Sequence, residues 1–141
     1  KMGPRCRGDD CVQVGNLEKM TAIKTADDVL GFWKQAGPDK WYKKDDAFDQ
    51  AIRDNFLATY EAAAQGRLTS WEGEPDSALA LVIVLDQFPR NMFRDSARAW
   101  ATDPLARDVA DSAIDRGLDQ AIGKDLRVFF YLPFMHSEDL E

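Results

Sequence analysis

Leu79 to Arg94 reads LALVIVLDQFPRNMFR. Its apolar run ends at Asp86, and Phe88-Pro89 then leads into a polar, cationic knot of Arg90, Asn91 and Arg94. Such a run has to be buried, so this stretch is the expected core element, and the polar groups behind it must hydrogen-bond whatever the core brings to its end. Val82, Ile83 and Val84 alone would suit a strand. Pro75 at a first helical position, Asp76 in the first turn, the Ala and Leu content and a length reaching Phe88 favour a buried helix instead. Pro89 is expected to end that helix, because the residue before a proline avoids helical backbone angles.

Outward from this element the punctuation is helical. Thr25 is placed to cap a first helix, with Asp27 and Asp28 in its first turn, Val29, Leu30, Phe32 and Trp33 on its apolar face, and Gly37-Pro38 as its stop. Asp45 or Asp46 opens a second, in which Phe48, Ile52, Phe56, Tyr60 and Ala63 share a face until Gly66 supplies a left-handed stop. Downstream, Asp103-Pro104 starts another helix, whose stripe of Leu105, Ala106, Val109, Ala110, Ala113 and Ile114 ends at Gly117. Asp125 opens a last apolar segment, Leu126 to Leu132, which Pro133 is expected to terminate. The fold class is therefore all-α, an array of antiparallel helical hairpins with short connections.

The chain has 141 residues, enough for one domain with a real core, and its 45% hydrophobic and 30% charged content is that of a globular protein. A net charge of -7 argues against nucleic acid or an anionic membrane as partner. Ala78 to Leu85 is far short of the roughly 20 apolar residues that span a bilayer. Residues 1–19 have no usable period and no signal-peptide core, and read as a disordered tail or leader ahead of a single helical domain, 20–141. Cys6 and Cys11 lie in that tail without the second pair that a zinc site needs, so they read as incidental thiols of a soluble, cytoplasmic chain.

Short links make consecutive helices antiparallel, which brings the end of the core helix and the end of the last segment to one edge. That edge would gather Asp86, Gln87, Arg90, Asn91, Arg94, His136, Ser137, Glu138 and Asp139. Read as a site, His136 is a general base oriented by Asp86 or Glu138, while Gln87, Arg90, Asn91, Arg94 and Asp139 are candidate ligand-binding groups for a small anion. Read as architecture, the same groups form a buried ion-pair and hydrogen-bond network, and the lack of an evident nucleophile favours this second reading. Ser137 suits the N-cap of a further helix better than a dyad with the adjacent histidine. No metal site is expected, since successive residues on a helix point in different directions: Asp139 could share a face with His136, but Asp86 would have to supply the rest. No cofactor is expected either. Trp33, Trp41, Trp71 and Trp100 read as core and inter-helix packing.

Leu85-Asp-Gln-Phe-Pro-Arg-Asn-Met-Phe-Arg94, Asp103, Leu132-Pro-Phe-Met-His-Ser-Glu-Asp-Leu140 and the early Val29-Leu-x-Phe-Trp33 with Trp41 resemble the largely bacterial family of domain of unknown function 924. The resemblance runs from Met20 to the end. It implies a tetratricopeptide-like helical fold and no established activity. That family continues with helical sequence past the His136-Ser-Glu-Asp-Leu motif, so a chain ending at Glu141 is expected to be truncated. Three function classes follow: a helical binding or scaffold module with a peptide or protein partner, a small-molecule binding protein or hydrolase-like enzyme at the Arg90, Asn91 and His136 edge, and a self-associating homo-oligomeric domain.

Overall fold

The computed structural model describes residues 22–139, with the side chains of residues 137–139 outside the description. The tail, 1–19, with Cys6 and Cys11, lies outside the described residues. The elements are α1 (Ala26–Ala36), α2 (Pro38–Trp41), α3 (Asp46–Ala64), α4 (Pro75–Val82), a π-helical segment (Ile83–Gln87), α5 (Phe88–Met92), α6 (Asp103–Asp115) and α7 (Lys124–Asp139), with 3-10 turns at Thr69–Gly73, Ala97–Trp100 and Leu118–Ala121. All regular structure among the described residues is helical.

The helix starts follow from local chemistry. The Thr25 side chain accepts from Asp28 N while Thr25 N donates to the Asp28 carboxylate, a reciprocal cap that satisfies two otherwise orphaned donors. Asp45 accepts from Phe48 N at the head of α3. Pro75 and Pro104 sit in the first turns of α4 and α6, where a missing N–H costs nothing. Gly117 after α6 has φ 79°, a left-handed turn that a side chain would strain.

Ala78 to Leu85 is buried on every side, as a helix that is apolar all round must be. Helix α4 packs against α1, α6 and α7, and the π segment after it touches α3, α6 and α7. Phe88 closes the core against Phe56, Trp33 and Phe32, with ring centroids 4.9, 5.7 and 6.4 Å away. The Trp33 indole N–H is buried there without a hydrogen-bond acceptor among the described residues.

Two helices run through the prolines expected to end them. The run from Pro75 passes through Pro89 and stops at Met92. A helical proline removes one donor and crowds the carbonyl four residues back. Here the π segment loosens the turn below it, with Phe88 N–H donating to Ile83 O. The carbonyl of Leu85, four residues before Pro89, accepts from Thr102 Oγ1 at 2.7 Å, and that of Asp86 accepts from Arg90 Nη1 at 2.9 Å. Side chains thus replace the bonds that Pro89 disrupts. Helix α7 likewise runs through Pro133 to Asp139, held by the buried Phe129 and Phe130 below it, so the Ser137 backbone lies inside α7. Trp100 departs from the packing role expected of it and is 47% exposed.

Tyr131 ties α7 to the turn before it, its hydroxyl donating to Asp119 Oδ2 at 2.6 Å. That bond lowers the Asp119 pKa and raises that of Tyr131. The stabilisation from Asp119 is present above the ordinary carboxylate pKa and is lost as pH falls through the lowered one. That from Tyr131 is present below about pH 10 and is lost as pH rises through the raised one. Tyr131→Phe should cost about 1 kcal/mol at neutral pH. It should also flatten both ends of the stability–pH curve, as urea unfolding from acid to alkaline pH would show.

Candidate functional site

The π segment carries a buried carboxylate, Asp86. Asp86 is 1% exposed, and such a charge is tolerated only with partners. Its Oδ1 lies 2.9 Å from His136 Nδ1 and 3.2 Å from Arg90 Nη1, and its Oδ2 accepts from Gln87 Nε2 at 2.9 Å. Arg90 grips Asp103 with both terminal nitrogens, Nη1 to Oδ1 at 2.8 Å and Nη2 to Oδ2 at 2.9 Å. Burial works against the Arg90 charge, yet the Asp103 hydrogen bonds and the charges of Asp86 and Asp103 outweigh it and raise the guanidinium pKa. The cluster joins the π segment and α5 to the start of α6 and the end of α7. Antiparallel neighbours bring those ends together, and α6 packs on both α4 and α7.

An ionised carboxylate only accepts, so a neutral His136 facing Asp86 carries its proton on Nδ1. The remaining nitrogen, Nε2, has no partner among the described residues. The His136 side chain is 22% exposed while Asp86 is sealed behind it. This is the layout of a base with its orienting carboxylate. It also contains a rigid structural part: the Arg90–Asp103 fork fixes the carboxylate, and no free donor is left on the guanidinium face it uses.

Not all expected residues converge here. Asn91 and Arg94 turn away, towards Asp49 of α3: Asn91 Nδ2 donates to Asp49 Oδ1 at 2.8 Å, and Arg94 Nε to Oδ2 at 2.6 Å. The reason is helical geometry, since on α5 Asn91 lies about 100° around the axis from Arg90, and Arg94 follows the helix end at Phe93. Asp49 raises the Arg94 pKa, chiefly through that hydrogen bond, against a smaller effect of burial. Both guanidinium groups are therefore engaged by carboxylates of the chain. The side chains of Glu138 and Asp139 lie outside the described residues. Asp49 and Asp103, which complete the two networks, were not among the expected site residues. Asp49 carries no local signal beyond a single acid on the apolar side of a helix, next to Phe48 and three residues before Ile52.

The expected peptide or protein partner, or second copy, also needs correction. Two clefts among the described residues are one of about 340 Å³ beside Asp49 and one of about 790 Å³ between Tyr42 and the start of α7. Both are local and rimmed with charge, and neither is a groove along stacked helices. No described helix is long and apolar enough to cross a membrane.

The solved structure of a protein of unknown function from Agrobacterium tumefaciens, ATU0120, is similar to this chain at 58% identity with a TM-score of 0.78. The match covers 79% of this chain and 63% of that one, so this chain spans less than two thirds of that protein's length. A comparison with curated proteins finds no match. The family model described as "Bacterial protein of unknown function (DUF924)" matches residues 29–141, which takes in Asp86, Arg90, Asp103 and His136. The chain belongs to the DUF924 family of bacterial proteins of unknown function.

Proposed function

We propose that this domain is an acid–base catalyst of hydrolase type acting on a small molecule, with His136 as general base and Asp86 as the carboxylate that orients its ring. The observation that carries the reading is the 2.9 Å contact of His136 Nδ1 with a buried Asp86 that Arg90 and Gln87 hold in place. His136 Nε2 takes a proton from a water molecule as the water oxygen bonds to an electrophilic carbon or phosphorus. The resulting imidazolium lies beside the Asp86 carboxylate, and the proton then passes to the departing oxygen. A π-helical turn supports the same reading, because it interrupts a fully buried helix to aim a carboxylate at one ring nitrogen, and such turns recur at functional sites.

The chain holds one histidine, so a single substitution removes the base. The full chain should hydrolyse p-nitrophenyl acetate or bis(p-nitrophenyl) phosphate above background. His136→Gln should return that rate to background while lowering stability by no more than about 1.5 kcal/mol, the loss of one bond to Asp86, so that the chain stays folded. Turnover that survives the substitution, or a wild-type rate equal to buffer, defeats the proposal.

A further inference from the structure

A cleft of about 790 Å³ lies at the other end of α7 from His136. Lys124 and His136 are twelve residues apart on that helix, which at about 1.5 Å per residue separates them by roughly 18 Å. This cleft is therefore distinct from the Asp86 cluster.

Its volume of about 790 Å³ is that of a small-molecule site. One side is aromatic. The Trp41 indole N–H is already committed to Trp33 O at 2.8 Å, so Trp41 offers the cleft ring surface alone. Tyr42, its ring 6.1 Å from that of Trp41 and nearly perpendicular, is 61% exposed. The rim is cationic. Lys34 and Lys124 both line the cleft, and neither is ion-paired among the described residues, whereas the nearby Lys40 and Lys44 each hold an aspartate. Asp125 is the one carboxylate in the lining, which leaves the cleft formally at +1 in a chain of net charge -7. Unpaired ammonium groups beside exposed aromatic surface suit a ligand with both a negative charge and a flat apolar body.

We infer that this cleft binds a small aromatic carboxylate, its ring system against Trp41 and Tyr42 and its carboxylate between Lys34 and Lys124. The site stands independently of the acid–base reading, and α7 carries both.

The test uses 2-naphthoate as probe and isothermal titration of the full chain. Saturable binding is expected. The double variant Lys34→Gln/Lys124→Gln, and separately Tyr42→Ala, should each weaken it about fivefold or more. Uncharged 2-naphthalenemethanol should bind about tenfold more weakly than the carboxylate. His136→Gln should leave the affinity unchanged, which separates this site from the Asp86 cluster. Tyr42 is too exposed for its removal to unfold the chain, so a loss of affinity with an unchanged melting curve reads the cleft itself. No saturable binding, equal affinity for the alcohol, or variants that bind like the wild type would each overturn the assignment.

Discussion

Replacing Arg90 with alanine is expected to lower the free energy of unfolding by about 3–5 kcal/mol. Arg90 is the cation between two carboxylates with almost no access to water, Asp86 at 1% and Asp103 at 3% side-chain exposure. A buried pair that loses one member leaves a charge that neither solvent nor another partner neutralises. Asp86 keeps His136 and Gln87, but Asp103 keeps no described cation, so most of the loss falls on the start of α6. Against a total of about 5–15 kcal/mol for a typical domain, this is a large fraction. Urea unfolding would show it as a fall in midpoint at constant slope. Acid, which neutralises the stranded carboxylates, should narrow the gap to wild type. Arg90→Lys should recover only part, because an ammonium group cannot hold both oxygens of Asp103 in one plane. A loss below about 1 kcal/mol would mean that the fork is open in solution.

Asp86→Asn separates orientation from stability. Asparagine has nearly the same shape, and its carbonyl oxygen can still accept from one neighbour. It has no charge to set beside an imidazolium, and its amide donates where a carboxylate oxygen accepted. Oδ1 serves two donors, His136 Nδ1 and Arg90 Nη1, so the asparagine carbonyl takes its place and the amide faces Gln87; the ring keeps its Nδ1 proton, but the imidazolium formed in the reaction loses the adjacent negative charge. Hydrolysis of the same aryl esters should therefore fall by about 10²–10⁴-fold. Stability should fall by about 1–3 kcal/mol as one hydrogen bond loses its partner. Steady-state rates and unfolding of the same sample check both. A variant that keeps its rate while His136→Gln loses it would remove Asp86 from the mechanism.

Much of the fold is legible in the sequence because the helix ends carry their own chemistry. Thr25 and Asp45 announce α1 and α3, Pro75 and Pro104 open α4 and α6, and Gly117 closes α6 with its positive φ. The prolines inside helices mislead because local propensity is outweighed by partners distant in sequence. Nothing near Pro89 says that the hydroxyl of Thr102 will take the carbonyl of Leu85, or that a π turn will absorb the proline ring. The grouping of polar side chains divides for a related reason. Asp86 and His136 can be brought together by reasoning on helix direction alone, whereas the fate of Asn91 and Arg94 depends on which face of α5 meets α3, a packing detail with no marker in the motif. Arg90 looks like a free anion fork in the sequence because Asp103, its partner, lies thirteen positions away at the head of another helix.

A buried carboxylate holds one ring nitrogen of His136, and the other has no partner among the described residues. With a single histidine in the chain, a long-range proton–nitrogen correlation spectrum of the imidazole reports on His136 alone. At a pH where the ring is neutral, the spectrum should show the proton fixed on Nδ1 and an unprotonated Nε2. A neutral ring protonated on Nε2, or one that averages the two tautomers as free imidazole does, would contradict the account.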